Sequence, residues 1–297
     1  MKPAICFIGF GEAGQAISAG LREAGVERIV AWDILFPQDA GERLLRAGAA
    51  IGVRCAPSAA AAVDDADIVV SAVTAAASIE AAQSVQKHLS GKPFLLDINS
   101  VSPGRKQDTA KLLGDNARYV DVAVLAPVYP ARHRTPMLLA GPHAEAVAPT
   151  LAAFGMRASI AGTDVGAAAA IKMVRSVIIK GIEALTLECF LAAARVGVID
   201  EVAASLKNNY PGIDWSQAIA YHLERMATHG ERRAAEMEEV AATLRELGIE
   251  PLMTSATVTR QREMGRIGAL HAARGTFGKK DAAAMLDAIS AAARDRR

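Results

Sequence analysis

Cysteine is scarce in this sequence, and its few copies show no arrangement that binds a metal. Cys6, Cys55 and Cys189 are the only 3 cysteines, and none of them forms a C-x-x-C spacing. An odd number of widely separated cysteines is typical of reduced thiols in a cytoplasmic protein. The 6 histidines include no H-E-x-x-H pair, although His222 and His229 could share a helix face. We therefore expect a cytoplasmic protein without a metal site.

An excess of charge of one sign is also missing. Lys and Arg total 33 against 32 for Asp and Glu, which gives a net charge of +1 and argues against a nucleic-acid or anionic-membrane partner. No apolar run approaches the roughly 20 residues of a transmembrane helix. Glu12 interrupts the apolar start of the sequence, so we do not expect a secretory leader there.

The sequence does have a large apolar fraction. Hydrophobic residues make up 52% and charged residues 22%, which predicts an extensive buried core rather than disorder. Since one domain usually holds about 100–200 residues, the 297 residues of this chain indicate two domains.

The first half alternates short β-branched runs with helical stretches. Because the apolar runs are continuous, each is typical of a parallel strand covered on both faces. Repeated strand–helix units predict an α/β fold with a doubly wound parallel sheet of the Rossmann type. The predicted strands are Ala4–Ile8, Ile29–Trp32, Ile68–Val73, Phe94–Ile98, Tyr119–Val124 and Met137–Ala140. The predicted helices are Gly14–Ala24, Pro37–Ala47, Ala75–Leu89 and Gly104–Leu113.

The pattern becomes entirely helical after about residue 162. One long helix is predicted from Asp164, a suitable N-cap, to Gly197, a suitable C-terminal stop. Glycines at 230, 248 and 275–278 separate further predicted helices, which are Trp215–His229, Arg232–Leu247, Pro251–Ile267 and Lys280–Ala293. We expect a NAD-binding Rossmann domain over residues 1–162 and an all-helical substrate and dimerisation domain over residues 163–297.

A glycine-rich turn follows the first predicted strand. It reads Gly9-Phe10-Gly11-Glu12-Ala13-Gly14, a G-x-G-x-x-G that opens a helix. In such a turn the first glycine permits a tight bend, the second lets the backbone approach a pyrophosphate, and the third allows close helix–strand packing. The N–H groups of the helix N-terminus then face the phosphates. Glycine-rich turns also occur where no ligand binds, but this placement predicts that all six residues contact a dinucleotide.

Asp33 ends the second predicted strand, at the distance from the glycines where an acidic side chain accepts hydrogen bonds from the adenosine ribose. No arginine follows it in Ile34–Phe36, and its charge would repel a 2′-phosphate, so NAD is predicted over NADP. A surface aspartate in a strand–helix turn is the alternative interpretation.

Three further residues are candidates for cofactor binding because they follow predicted strands. Ligands of open α/β sheets bind at the carboxyl ends of the strands. Val73, Thr74 and Asn99 stand there. Ordinary capping of strand ends is the alternative.

At three landmarks in order, the sequence resembles the β-hydroxyacid dehydrogenase superfamily, which includes 3-hydroxyisobutyrate and 6-phosphogluconate dehydrogenases. The first landmark is the glycine turn. The second, Asp97-Ile98-Asn99-Ser100-Val101-Ser102-Pro103, is similar to the family's D-x-S-T-x-x-P substrate loop, and the third, Gly166 to Lys172, has the spacing of its G-x-G-x-x-x-K helix. The second half is similar to a phosphogluconate-dehydrogenase-like subgroup whose C-terminal domain has no assigned role.

The resemblance implies that Lys172 is the catalytic residue of an NAD(P)-dependent dehydrogenase acting on a hydroxyacid or the matching keto compound. A lysine beside the nicotinamide can accept the proton of a secondary alcohol as the carbonyl forms, if desolvation lowers its pKa. The apolar residues around Lys172 favour this role over that of a solvated surface lysine. Ser100 and Val101 are then expected to bind the substrate.

Other substrate positions depart from the family's pattern. Ser176 stands where the family has an asparagine, and Leu125, Ala126 and Pro127 replace its Ser-Gly-Gly. Arg232 or Arg233 could bind the carboxylate of an organic acid, whereas an i,i+4 pair between Arg232 and Glu236 explains the same residues equally well. The list of expected substrate-binding residues is therefore Ser100, Val101, Leu125, Ala126, Pro127, Ser176, Arg232 and Arg233.

Two other functions stay open. Imine reductases share the expected architecture but usually have aspartate or tyrosine at the position of Lys172, so the lysine favours alcohol chemistry. A regulator that has lost catalysis would bind NADH without turnover. The family also implies a homodimer formed through the helical domain.

Overall fold

The computed structural model describes residues 3–273 and 282–294. Two compact units divide the chain, Met1–Met173 and Val174–Arg297. The first unit contains an eight-stranded sheet with helices, and the described part of the second unit contains helices alone. This confirms the predicted fold class.

The sheet has the strand order of a doubly wound fold. Its strands are β1 (Ile5–Ile8), β2 (Ile29–Trp32), β3 (Arg54–Cys55), β4 (Ile68–Ser71), β5 (Phe94–Asp97), β6 (Arg118–Val124), β7 (Met137–Ala140) and β8 (Ala158–Gly162). They are arranged β3-β2-β1-β4-β5-β6-β7-β8. Strands β1 to β6 are parallel, β7 is antiparallel to β6, and β8 is parallel to β7. The order reverses between β1 and β4, where open α/β sheets bind ligands.

Helices complete both units. Those of the first unit are α1 (Glu12–Glu23), α2 (Glu42–Ala50), α3 (Ala59–Val63), α4 (Ser78–Gln86), α5 (Pro103–Leu113) and α6 (Ala144–Ala153). The long helix α7 (Ala167–Val196) starts in the first unit and continues into the second. It is followed by α8 (Ile199–Asn209), α9 (Trp215–Glu246), α10 (Leu252–Ala273) and α11 (Ala282–Arg294). Within the described residues, no helix is both long and apolar enough to cross a membrane.

Two apolar cores hold the first unit together. Ile5 and Phe7 of β1 are buried in one core, and Cys6 and Ile8 are buried in the other. Because side chains alternate along a strand, both faces of the sheet must be covered. This explains why the apolar runs in the sequence are continuous.

All six predicted strands are present, but β3 and β8 were not predicted. Strand β3 has only 2 residues, too few for a pattern. The side chains of the edge strand β8 are half-buried or exposed, so this strand has no continuous apolar run. The short helices α3, α6 and α8 were also not predicted.

The prediction of two helices on either side of Gly230 was wrong, since α9 passes through this residue without a break. A Cβ atom at Gly230 would lie 2.3 Å from the backbone oxygen of Gln261 in α10. The glycine therefore permits close packing of two helices and does not end one. The predicted separator at 275–278 and the predicted helix start at Lys280 lie outside the described residues.

The start of α7 also differs from the prediction. Asp121 of β6, rather than Asp164, supplies the side-chain acceptor for the first turn: its Oδ2 accepts the N–H groups of Gly166 at 3.1 Å and Ala169 at 3.0 Å. Ala168 packs in a small core with Ala123 and Ala140 of the sheet. This packing joins the first turn of α7 to the sheet, and the first unit extends to Met173. Gly197 follows the helix with a φ of +74°, as a C-terminal stop requires.

Candidate functional site

The register of the parallel strands brings several loops to one edge of the sheet. Ile8 pairs with Trp32 and with Ser71, and Ser71 pairs with Asp97. These residues end or nearly end their strands, so the segments that follow β1, β2, β4 and β5 emerge side by side. The glycine turn, Asp33, Val73 and Ser100 all belong to this edge.

The glycine turn leaves open space in front of α1. Gly9 has a φ of +94°, and a Cβ atom there would lie 2.4 Å from the backbone oxygen of Ala72. A Cβ atom on Gly14 would lie 2.5 Å from the oxygen of Gly9, whereas one on Gly11 would meet nothing within 4 Å. The N–H groups of Glu12 and Ala13 lie in the first helical turn, where no intrahelical acceptor exists. The turn fits the pyrophosphate of a dinucleotide.

Asp33 is joined to this turn by its carboxylate. Oδ2 accepts the backbone N–H of Phe10 at 2.7 Å, and Oδ1 accepts that of Leu35 at 3.0 Å. Each oxygen keeps a second acceptor position for a ribose hydroxyl. The next residue, Ile34, is 64% exposed and carries no positive charge for a 2′-phosphate.

Asn99 is buried and ties the ends of β4 and β5 together. Its Oδ1 accepts the N–H of Val73 at 2.8 Å, and its Nδ2 donates to Ser71 Oγ at 2.9 Å. The backbone N–H of Asn99 donates to Asp97 Oδ1 at 3.0 Å. These contacts fix the backbone before the exposed Thr74, so Asn99 supports the edge through its side chain.

Lys172 and Ser100 are in direct contact. Lys172 Nζ donates to Ser100 Oγ at 2.6 Å, which joins the second turn of α7 to the segment after β5. Both side chains are half-buried. Met173 is buried, but Ile171 and Val174 are 47% and 48% exposed, so the apolar residues around Lys172 do not bury it completely. An ammonium or amine beside a hydroxyl can exchange a proton with an alcohol bound to both.

A buried ionic cluster beneath this pair was missed by the sequence analysis. It consists of Asp97, Lys106, Tyr119 and Asp121, which we call the Asp–Lys–Asp cluster. Ser102 caps α5 by accepting the N–H of Arg105 at 3.3 Å, and Lys106 lies one turn into the helix, above the sheet edge. Tyr119 donates to Asp97 Oδ2 at 2.7 Å, and burial together with the Asp97 charge raises the pKa of Tyr119. Ionisable residues inside or beside buried strands were the signal available in the sequence.

The remaining substrate candidates of the first unit lie near the ends of β5 and β6. Val101 is fully buried, and its N–H donates to the oxygen of Asn99. Leu125 is half-buried, while Ala126 and Pro127 are exposed. In the following loop, Arg132 binds both carboxylate oxygens of Glu23, at 2.6 and 2.5 Å, and lowers the pKa of this group.

Three substrate candidates belong to the second unit. Ser176 is buried, and Lys180 Nζ lies 3.5 Å from its Oγ. Arg233 forms a buried ion pair with Glu183. Arg232 lies 3.4 Å from Glu236, which is the i,i+4 pair that the sequence allowed. Both arginines therefore already face a carboxylate.

Among the residues that the structure describes, His, Cys, Asp and Glu form no group of three or more that could hold a metal ion.

Each half of the chain contains a segment that matches a known protein family. Residues 4–100 match the family model described as NADP oxidoreductase coenzyme F420-dependent. Residues 193–264 match a domain of unknown function, DUF1932. A conserved hypothetical protein from Sinorhizobium meliloti 1021 is 35% identical, with a TM-score of 0.75 and coverage of 97% of this chain and 96% of that one. A conserved protein of unknown function is described as structurally similar to 3-hydroxyacid dehydrogenases. It is 28% identical at a TM-score of 0.70, and the match covers 90% of this chain and 98% of that one.

Two enzymes of lower identity share the fold. The 3-hydroxyisobutyrate dehydrogenase of Mycobacterium tuberculosis, solved with L-serine, is 18% identical at a TM-score of 0.71 and covers 97% of this chain and 99% of its own. An imine reductase variant from Myxococcus stipitatus, solved with NAD+, is 23% identical at a TM-score of 0.59. The match covers 97% of this chain and 100% of that one.

The first unit has a Rossmann-type fold, and its residues 4–100 are similar to nucleotide-binding oxidoreductases. More narrowly, the chain has an N-terminal NADP-oxidoreductase domain and a C-terminal DUF1932 domain and belongs to the same family as the Sinorhizobium meliloti protein. Its fold is that of the 3-hydroxyisobutyrate dehydrogenases, which is consistent with the β-hydroxyacid dehydrogenase superfamily.

Proposed function

We propose that this protein is an NAD-dependent dehydrogenase that oxidises the secondary alcohol of a hydroxyacid, or reduces the matching keto compound. The observation that carries the proposal is the 2.6 Å hydrogen bond from Lys172 to Ser100 at the carboxyl edge of the sheet. Ser100 lies at the same edge of the sheet as the glycine turn and Asp33, and Lys172 of α7 contacts Ser100 there. A proton-transfer group is thereby combined with a site that fits a dinucleotide.

The bound dinucleotide would accept the hydride from the carbinol carbon. As the carbonyl forms, the neutral amine of Lys172 takes the hydroxyl proton, and in the reverse direction its ammonium returns that proton. Ser100 orients the substrate oxygen toward Nζ, since its hydroxyl can accept from Lys172 and donate to the substrate.

The proposed preference for NAD depends on Asp33. Its carboxylate is available to ribose hydroxyls and would repel a 2′-phosphate, and the neighbouring Ile34 carries no compensating charge. The proposed cofactor-binding residues are Gly9, Phe10, Gly11, Glu12, Ala13, Gly14, Asp33, Val73, Thr74 and Asn99.

The proposed substrate is a small organic acid. Ser100, Ser176 and the segment Leu125–Pro127 are its proposed contacts, whereas Val101 is left out because it is fully buried. Arg233 is left out of this set because it forms a buried ion pair with Glu183. Arg232 is left out because its i,i+4 contact with Glu236 on an exposed helix face accounts for it.

We further propose a cytoplasmic homodimer formed through the helical unit. The free thiols of Cys6, Cys55 and Cys189 agree with a reducing compartment. Ile178 and Leu185 on α7 are 69% and 58% exposed, and a second copy would remove such apolar side chains from water. Light scattering of the wild type and of Ile178→Glu tests this: a dimer that Ile178→Glu dissociates supports the proposal, and a wild-type monomer contradicts it.

The activity is tested by NADH formation with a panel of hydroxyacids. Wild type, Lys172→Ala and Lys111→Ala are compared, since Lys111 is an exposed lysine of α5 and serves as the control. Loss of a general acid–base is expected to lower kcat by about 100-fold or more in Lys172→Ala, while Lys111→Ala keeps wild-type activity. NADH binding is measured alongside by fluorescence.

Two outcomes would contradict the proposal. If all alcohols fail but cyclic imines are reduced, the protein is an imine reductase, a function that the shared fold also supports. If NADH binds and neither class of substrate turns over, the protein is a dinucleotide-binding regulator.

A further inference from the structure

Two buried carboxylates stand directly opposite each other in the first unit. Asp97 and Asp121 are register partners on the parallel strands β5 and β6, and both side chains are at most 1% exposed. Neighbouring strands are about 4.8 Å apart, and like charges at directly opposite positions repel each other. In the dry interior of a protein this repulsion is weakly screened. A cation between the two carboxylates would offset this repulsion.

Lys106 supplies that cation. Its side chain is 1% exposed, and Nζ lies 3.0 Å from Asp97 Oδ1 and 3.5 Å from Asp121 Oδ1. Nζ also donates to the backbone oxygen of Asp97 at 2.5 Å. The ammonium thus lies within 3.5 Å of three oxygens, two of which belong to opposing carboxylates, and its interaction with Asp121 Oδ1 is an ion pair without a hydrogen bond.

Each carboxylate holds a different segment of the candidate site. Asp97 Oδ1 accepts the N–H of Asn99, the residue before Ser100. Asp121 Oδ2 accepts the N–H groups of Gly166 and Ala169, which form the start of the helix that carries Lys172. Ser100 is therefore connected to Lys106 through Asp97, and Lys172 is connected to Lys106 through Asp121.

We propose that Lys106 is a positioning residue, which keeps Lys172 and Ser100 in contact by holding together the two carboxylates that anchor their segments. The structural part of this proposal concerns the order of the two segments. Its catalytic consequence rests on the function proposed above, because only turnover makes the Lys172–Ser100 contact matter.

The groups around Asp97 and Asp121 explain why a single cation, Lys106, can offset the repulsion between these two carboxylates. Among the described residues, the groups that face the carboxylates are Lys106 from α5, Tyr119 from β6 and the N–H groups at the start of α7. The helix start carries about half a positive charge, which offsets part of the second anion. Tyr119 stays protonated and donates to Asp97, because burial and then the nearby charges of Asp97 and Asp121 raise its pKa.

Removing the cation is predicted to create a new pH dependence. In Lys106→Met, the two carboxylates face each other without a cation, and the repulsion between them grows as both become ionised with rising pH. Repulsion that is present only in the folded protein costs stability as pH increases. The variant is therefore expected to be least stable, and its two segments least ordered, at alkaline pH.

The test uses amide hydrogen exchange and thermal unfolding at about pH 5.5 and about pH 8. Exchange of the segments at 97–101 and 164–172 is expected to be at least about 10-fold faster in Lys106→Met than in wild type at the higher pH, with a smaller difference at the lower pH. The control is Lys111→Met on the same helix. Lys111 is exposed, so this substitution should change neither the exchange of the two segments nor the unfolding temperature.

A second variant keeps the proposal falsifiable even if Lys106→Met folds poorly. Lys106→Met/Asp121→Asn removes the repulsion, because residue 121 then carries no charge. The amide oxygen of the asparagine can still accept the N–H groups at the start of α7. It is expected to unfold at a higher temperature than Lys106→Met and to lose the alkaline instability. A double variant that is no more stable than Lys106→Met, or a Lys106→Met variant with wild-type exchange at both values of pH, would overturn the proposal.

Turnover separates this proposal from the dehydrogenase assignment. With an active wild type, Lys106→Met is expected to lose kcat by at least about 10-fold at the higher pH, with a smaller change in KM, and the double variant should recover part of that loss. If the wild type oxidises no alcohol, the dehydrogenase assignment fails. The exchange and unfolding results still decide the role of Lys106 in ordering the segments.

Discussion

The backbone N–H of Phe10 donates to Asp33 Oδ2 at 2.7 Å, so the side chain proposed to select NAD also holds the glycine turn in place. The two roles involve different properties of the carboxylate. Holding the turn needs an acceptor oxygen, whereas discrimination against a 2′-phosphate needs the negative charge. Substitutions at Asp33 can therefore separate them.

Asp33→Asn is expected to keep the turn but lose the discrimination. The amide oxygen still accepts from Phe10, while the charge that repels a 2′-phosphate is gone. Fluorescence titration should show weaker binding of NADH and tighter binding of NADPH. Adding Ile34→Arg to this variant should shift the preference further toward NADPH by about 10-fold or more, since arginine binds phosphate. Equal losses for both dinucleotides would show that Asp33 acts only on the turn.

Gly9 and Gly11 are expected to respond differently to alanine. At Gly9 the positive φ and the 2.4 Å approach to the oxygen of Ala72 leave no room for a Cβ atom, so Gly9→Ala should lower the unfolding temperature. At Gly11 a Cβ atom meets no protein atom, so Gly11→Ala should fold normally and lose affinity for NADH. Normal NADH binding by Gly11→Ala would place the pyrophosphate elsewhere.

In the helical unit, Gly230 and Gly181 offer a matched pair. Gly230→Ala would force α9 away from the backbone of α10 and should destabilise the unit by about 1–3 kcal/mol or more. Gly181 lies inside α7 with nothing within 4 Å of an added Cβ. In the Ile178→Glu background, where the proposed dimer contact on this face of α7 is broken, Gly181→Ala should therefore stabilise the protein by about 0.5–1 kcal/mol. Denaturant unfolding measures both changes, and equal effects of the two substitutions would contradict the close contact of α9 with α10.

His222 is expected to make the helical unit sensitive to acid. Burial of the ring lowers the pKa of His222, and its Nδ1 lies 3.0 Å from Thr186 Oγ1. Below the ordinary histidine pKa of about 6.5, the unfolded chain binds a proton that the folded chain does not, so stability falls as pH falls. The difference in unfolding temperature between about pH 7.5 and about pH 5.5 should shrink in His222→Gln. His88→Gln, at an exposed histidine, should leave this difference unchanged.

Much of the fold follows from local patterns in the sequence. A parallel strand covered on both faces produces a continuous apolar run, so β1, β2 and β4 to β7 could be recognised without knowing their neighbours. Strand β8 could not, because an edge strand with exposed side chains has no such run. The continuity of α9 through Gly230 depends on its packing with α10, which a single helix pattern does not contain.

Some residues of the candidate site could likewise be recognised from local sequence patterns, and others could be recognised only in the tertiary structure. The glycine turn and Asp33 have fixed local spacings, and the Lys172 helix was found by its motif. Lys106 and Asp121 had no such signal, since their importance comes from strand register and from a capping contact 45 residues away along the chain. Arg233 was expected at the substrate, and only the tertiary structure shows its buried partner Glu183.

Transfer of a labelled hydride tests the account most directly. A hydroxyacid that turns over would be deuterated at its carbinol carbon, and the NADH formed would be analysed by mass spectrometry. We predict that the deuterium appears in NADH with wild-type protein and that its rate of transfer falls by about 100-fold or more in Lys172→Ala. Lys172→Ala that transfers the label at the wild-type rate, or NADH that carries no label, would contradict the assignment of Lys172 and Ser100 as the centre of a dehydrogenase.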